Sequence, residues 1–226
     1  MSNNSKIILD LCGGSGAWSR PYKEAGYDVR VLTLPEYDVT DSDVDEEVLY
    51  FSRFMRGEQI VPIHMIYGVL AAPPCTEFSV AKGNRPRNLE GAMEIVEACM
   101  RIIWRVREHT KLAFWALENP RGLLRQFLGL PAYTFEQWQF GGDKRKATDI
   151  WGYFNIPKAS VKEFPLADYT IRNPSGSVNS RAWGKCEYPP MYADYINSLN
   201  GYAAKRAAAR AITPAGFADA FYRSNK

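Results

Sequence analysis

The sequence predicts an α/β protein: a sheet of strands joined by crossover helices, a small irregular lobe near the C-terminus, and a last helix returning to the core. Three observations carry this prediction. Over the first two-thirds of the chain, short apolar runs alternate with segments whose apolar residues recur at helical spacing. Two of the apolar runs stop abruptly in proline or polar residues, as buried strands do at the rim of a sheet. From residue 155 to about 201 the pattern loosens into prolines, tyrosines and isolated charges, and order returns only after that.

Taken in order, residues 6–11 (KIILDL) make the first strand, CGGSGAW a glycine-containing turn, and 19–25 a short helix. Residues 29–34 make the second strand. Ser42, with Asp45 three residues on, resembles a capping box before a helical face of Val44, Val48, Leu49 and Met55. A third strand at 65–71 breaks at Pro73-Pro74-Cys75 and is followed by a basic loop, VAKGNRPRN. The long helix 89–109 carries one apolar stripe, Ala92, Val96, Cys99, Ile103 and Val106, which assigns Cys99 to the core. Residues 112–117 (LAFWAL) form the next strand and end in Glu118-Asn119-Pro120. Residues 134–140 and 148–154 read as a hairpin around GGDKRKA. Thr213-Pro214 reads as an N-cap followed by an N1 proline, opening a final helix with Phe217, Ala220 and Phe221 on its apolar face. The expected division is a core over 1–154, a small lobe over 155–201, and a C-terminal helix over 202–226 that packs back on the core.

Composition narrows the classes. With 46% hydrophobic and 23% charged residues the chain is globular, and it has no apolar run of the roughly 18 residues that a membrane span needs. The polar start MSNNSK lacks the features of a secretory signal, so a cytoplasmic protein without membrane attachment is expected. Cys12, Cys75, Cys99 and Cys186 form no C-x-x-C pair, and only His64 and His109 accompany them, so no metal is expected. The net charge of +3 hides an asymmetry: residues 36–47 hold seven acids and no base, leaving 28 bases against 18 acids elsewhere. Such a surface suits a polyanionic partner.

In an open α/β sheet, ligands gather at the carboxyl ends of the strands, and three such ends carry chemistry. In DLCGGSG, residues 10–16, glycines let the chain turn tightly and bring backbone N–H groups against a nucleotide-like ligand, although the spacing is not G-x-G-x-x-G. Cys75 is held outside the third strand by two rigid prolines, and Lys82, Arg85 and Arg87 in the following loop are cations expected to depress its thiol pKa. Glu118 is a carboxyl at an apolar rim, where a raised pKa would let it act as an acid.

In this order the three sites resemble the DNA (cytosine-5) methyltransferase family. Asp10-Leu11-Cys12-Gly13-Gly14-Ser15-Gly16 resembles its first cofactor motif, Pro73-Pro74-Cys75-Thr76-Glu77-Phe78-Ser79 its nucleophile motif, and Glu118-Asn119-Pro120 its glutamate motif. Residues 144–151 (KRKATDIW) and 212–225 resemble short phage-borne members. The resemblance implies a Rossmann-like sheet that binds S-adenosylmethionine, with Cys75 adding to carbon 6 of a flipped cytosine and Glu118 acting as the acid at ring nitrogen 3. It implies cofactor contacts from Asp10, Cys12, Gly13, Gly14, Gly16, Glu36, Asp38 and Pro73. It implies DNA contacts from Ser79, Lys82, Arg85, Lys144, Arg145, Lys146 and Thr148, with Lys205, Arg206 and Arg210 as candidates from the tail. A monomer in the cytoplasm of a bacterium or a phage-infected cell would fit.

Several positions depart from the family pattern. Cys12 stands where an aromatic residue usually lies against the adenine, Thr33-Leu34 where an acid usually meets the ribose, and Thr76 where a glutamine follows the nucleophile. Glu36 is the nearest acidic substitute, and Asp38-Val39 resembles the motif that accepts from the adenine amine. Fewer than 50 residues separate hairpin and tail, too few for a large base-reading lobe. Recognition is therefore expected to cover two to four bases, read by Arg172, Asn173, Asn179, Arg181 and Lys185. An RNA cytosine is one alternative substrate. A non-catalytic DNA- or cofactor-binding relative of the fold is another alternative.

Overall fold

The computed structural model of the chain describes residues 2–41, 63–142, 146–164, 170–172, 178–180 and 188–226. Their centre is a six-stranded sheet of β1 (Ile7–Leu11), β2 (Asp28–Leu32), β3 (Ile66–Ala71), β4 (Phe114–Pro120), β5 (Tyr133–Glu136) and β6 (Ala147–Tyr153). The spatial order is β2-β1-β3-β4-β6-β5. β1 pairs in parallel with β2 and β3, and β3 with β4, whereas β6 runs antiparallel to both β4 and β5. This is the Rossmann-like α/β fold expected. The order reverses between β1 and β3, so their carboxyl ends frame the crevice where such sheets bind ligands.

The inner parallel strands β1, β3 and β4 are covered on both faces, which is why they read as nearly unbroken apolar runs, whereas the edge strand β2, DVRVL, is mostly half-buried. Alternate residues separate cleanly. Ile7, Leu9 and Leu11 of β1 join Val69, Ala71, Trp115 and Leu117 in one core layer, against α2 (Leu89–His109). Ile8, Leu70, Phe114 and Ala116 face the opposite layer, with Trp18 and with Tyr22 of α1 (Arg20–Glu24). α2 matches its expected bounds because Asn88 caps it, accepting from the Gly91 amide at 3.1 Å, and Cys99 on its stripe is fully buried.

After the short α3 (Arg125–Leu128), the chain builds the β5–β6 hairpin, with β5 stopping at Glu136 and residues 137–140 winding into a 3-10 turn. β4 runs three residues beyond its apolar stretch, because Glu118, Asn119 and Pro120 pair with Ile150, Asp149 and Thr148. The polar strand end is thus part of the sheet.

Between hairpin and tail lie the antiparallel pair β7 (Thr170–Arg172) and β8 (Val178–Ser180), then α4 (Ala193–Ser198). The tail is two helices where one was expected: α5 (Tyr202–Ala211) and α6 (Ala215–Ser224). α6 returns to the sheet, burying Phe217 and Phe221 beside Trp18, with Phe217 stacked on Phe135 at 4.0 Å. Its N-cap is Pro214, with no side-chain cap bond from Thr213. The helix expected around Val44–Met55 lies outside the described residues. Among the described residues, no helix is long and apolar enough to cross a membrane, and no three His, Cys, Asp or Glu side chains group as metal ligands would.

Candidate active site

The glycine turn leaves β1 at Leu11 and enters a left-handed conformation at Cys12 (φ +56°), Gly14 (+54°) and Gly16 (+66°). Cys12 is the one non-glycine residue in that region among those described. Its amide donates to the Leu32 carbonyl at 2.7 Å, and its sulfur lies 3.9 Å from that of Cys99. Gly13 is required by packing: a Cβ there would run into the Asp10 carboxyl. Asp10 is fully buried at the end of β1, and one oxygen accepts from the Ser19 hydroxyl at 2.5 Å. The other oxygen, Oδ1, has no partner. Burial raises this carboxyl to about 7, and the Ser19 bond opposes that rise.

β3 and β4 supply the opposite side. Asn119, fully buried, donates its amide to the Pro73 carbonyl at 3.0 Å and so ties the Pro-Pro-Cys turn to the end of β4. Cys75 and Glu118 are each partly exposed and line one cavity of about 350 Å³. Asp10, Cys12, Gly13, Gly14, Asp38 and Pro73 line the same cavity. The structure therefore brings the glycine turn, the cysteine and the glutamate together around one space.

The electrostatics correct one expectation. Burial pushes the Cys75 thiol up, and Glu118 adds to that rise. The opposing cations are Lys146 first and then Arg210, not Lys82, Arg85 or Arg87. Those three are engaged in shaping their own loop. Lys82 pairs with Glu77, Arg85 donates to the Lys82 carbonyl at 3.0 Å, and Arg87 donates to the carbonyls of Glu77, Ser79 and Gly83. Lys146 lines the cavity and donates to the Arg210 carbonyl at 3.3 Å, which places the end of α5 beside the hairpin. Glu118 is raised as expected: burial is the main cause, Lys146 opposes it, and Asp149 adds to it.

Asp149 is itself fully buried and is held by Arg125 through two bonds of 2.6 Å, with the Thr134 hydroxyl donating at 2.8 Å. Neither Arg125 nor Asp149 is singled out by sequence pattern, since their partnership exists only once β6 lies beside β4. The cavity wall from α5 was also missed. Ala204, Ala207, Ala208 and Ala211 line it at i, i+3, i+4, i+7 spacing, a helical face that the run YAAKRAAARA displays openly. Tyr195 and Leu199, at α4 and just after it, complete that side.

Other predicted residues fall elsewhere. Glu36 is exposed and Gly16 packs near Val31 and Ser19, and neither lines the cavity. Asp38 lines it while its carboxylate accepts from the Thr40 amide and hydroxyl at 2.9 and 2.7 Å, which lowers its pKa. Thr148 is 1% exposed within β6, so strand pairing seals it away from any phosphate. Ser79 caps a short turn, accepting from the Ala81 amide at 3.2 Å. Lys205 is half-buried on α5, and Arg206 and Arg210 are exposed there. Arg172 and Asn179 lie on the paired strands β7 and β8. Lys144, Arg145, Asn173, Arg181, Lys185 and Cys186 lie outside the described residues.

No protein-family model matches the chain, and no curated protein matches it. Among solved structures, the methyltransferase EhMeth of Entamoeba histolytica is similar over 74% of this chain and 60% of its own length, with 12% sequence identity and a TM-score of 0.35. This chain thus covers less than two thirds of that protein. A likeness so distant says nothing about this chain's chemistry.

Proposed function

We propose that the protein transfers a methyl group from S-adenosylmethionine to carbon 5 of cytosine in DNA. The observation that carries this reading is the meeting of Cys75, Glu118 and Lys146 with the glycine turn around one cavity.

The residues present fit the cofactor. A Cβ on Gly13 would meet the Asp10 carboxyl and one on Gly14 the Tyr195 hydroxyl, so only glycine lets the turn pass between these groups, and Asp10 Oδ1 is a buried acceptor in want of a donor. Asp10, Gly13, Gly14 and Asp38 would hold the group, with the alanine face of α5 as its apolar wall. S-adenosylmethionine supplies, when bound, an electrophilic methyl group to an electron-rich carbon 5.

The chain's own groups make carbon 5 electron-rich. The Cys75 sulfur adds to carbon 6 and pushes the ring electrons toward carbon 5 and nitrogen 3. Glu118, protonated at higher pH than an ordinary glutamate, donates its proton at nitrogen 3 and so stabilises that electron density. Lys146 opposes the burial cost on the thiolate. Loss of the carbon 5 proton to solvent water then expels the Cys75 sulfur as thiolate, and nitrogen 3 returns its proton to Glu118, which restores the ring and the acid. A duplex cytosine must leave the stack to reach Cys75, at a cost of a few kcal/mol that phosphate contacts offset.

Trapping on duplex DNA containing 5-fluorocytosine tests the reading, because fluorine cannot depart as a cation and the adduct persists. Wild type gives a covalent band and Cys75→Ser gives none. Equal trapping of transfer RNA would move the substrate to RNA, and no adduct on either would remove the reading.

A further inference from the structure

Three unpartnered polar groups border the glycine turn. Asp10 Oδ1 and Trp18 Nε1 are both buried without a hydrogen-bond partner, and both residues line the cavity. Tyr195 lines it from α4, and its hydroxyl lies 2.8 Å from the point a Cβ on Gly14 would occupy. Burial raises the Tyr195 phenol, so it stays a neutral O–H donor, and no hydrogen bond to that hydroxyl is formed among the described residues. A buried polar group left without a partner is costly. Two such atoms and a free hydroxyl around one turn therefore describe a ligand by its complement. It needs a cationic donor for Asp10 and an anionic acceptor for the indole N–H and the phenol, in a single ligand that fits the one cavity these residues line.

An α-amino acid has that pair of charges. We propose that Asp10, Trp18 and Tyr195 bind the amino-acid end of the methyl donor: its ammonium donates to Asp10 Oδ1, and its carboxylate accepts from Trp18 Nε1 and the Tyr195 hydroxyl. This rests on the reading that the cavity takes S-adenosylmethionine, and it gives α4 a task. Tyr195 of α4 reaches over the glycine turn of the core, so cofactor binding holds α4 against that turn.

Calorimetry on the full chain tests this with two ligands, S-adenosylhomocysteine and 5′-methylthioadenosine, which share nucleoside and sulfur while only the first has an amino-acid end. Tyr195→Phe removes one oxygen, and Trp18→Phe removes the indole N–H. Each is expected to weaken S-adenosylhomocysteine roughly tenfold or more, the effect of a hydrogen bond to a charged group, and to leave 5′-methylthioadenosine unchanged. Unchanged S-adenosylhomocysteine affinity in both variants overturns the proposal and leaves the methyl-donor reading standing. Equal loss for both ligands also overturns it, since a structural role would act on both. Failure of the wild-type chain to bind either ligand removes the cofactor reading itself.

Discussion

Asn119 donates its side-chain amide to the Pro73 carbonyl at 3.0 Å across a separation of 46 residues. The same offset relates Gly68 to Phe114 and Ala71 to Leu117 in the β3–β4 register, so the bond continues the strand pairing with a side chain where the prolines end it. It thereby holds the strand ends that bear Cys75 and Glu118 side by side.

Asn119→Ala leaves the Pro73 carbonyl buried without its donor. The expected destabilisation is about 1–3 kcal/mol, the cost of an unsatisfied buried acceptor. Because the bond positions Cys75 against Glu118, adduct formation on 5-fluorocytosine DNA should slow by more than the loss of folded protein explains. Affinity for S-adenosylhomocysteine should be unchanged. Urea denaturation, trapping time courses and calorimetry give the three numbers, and wild-type trapping kinetics in the variant would rule out the positioning role.

Lys146 is the main cation opposing the burial of Cys75, and it acts on Glu118 in the same direction. An opposite charge favours the ionised form, so removing it in Lys146→Met raises both pKa values further. Iodoacetamide labelling of Cys75, followed by mass spectrometry across pH, should show the variant's rise displaced to higher pH. Lys146→Arg, which keeps the charge, should stay near wild type. A variant profile that overlays the wild type would remove Lys146 from the thiol's environment.

Asp10 gives stability a pH dependence whose sign is unusual for a carboxylate. Its pKa is 3.8 ordinarily and about 7 in the fold, raised by burial. Between those values the folded state holds a proton that the unfolded chain has released, so stability falls as pH rises from about 4 to about 7 and is level above. At ~1.4 kcal/mol per pH unit the burial costs roughly 4 kcal/mol at pH 8. Asp10→Asn removes that cost. Its melting temperature without ligand should exceed wild type at pH 8 and approach it at pH 4, while its affinity for S-adenosylhomocysteine falls. Equal shifts at both pH values would contradict the burial of an ionisable group.

The sequence displays most of the sheet because parallel strands buried on both faces are written as continuous apolar runs, as in KIILDL and LAFWAL. Cys75 and Glu118 are visible for a related reason: polar residues directly after such runs lie at the sheet's rim. What it hides depends on contacts between distant segments. The loop cations Lys82, Arg85 and Arg87 are near Cys75 in sequence but are engaged by Glu77 and backbone carbonyls, while Lys146 and Arg210 reach the thiol only after the hairpin and α5 have packed. Thr148 belongs to a motif that looks surface-borne, yet pairing with β4 and β5 buries it. Local pattern reports the strand ends, and only the assembled sheet reports the charges between them.

The pair Arg125–Asp149 extends the site one layer outward. Asp149 stands opposite Asn119 in the β4–β6 register, is fully buried, and accepts two bonds from Arg125 at 2.6 Å. Arg125→Met would leave that carboxylate buried and unpaired, with an expected loss of about 3–5 kcal/mol. Arg125→Met with Asp149→Asn should recover much of it, because the stranded charge is gone. Asp149→Asn alone acts on the chemistry. Asp149 is one of the causes holding Glu118 up, so its neutral replacement lowers the Glu118 pKa. Glu118 serves as an acid only while protonated, and the decline of the trapping rate at high pH should therefore move to lower pH in Asp149→Asn. A decline at the wild-type position would separate Asp149 from the acid.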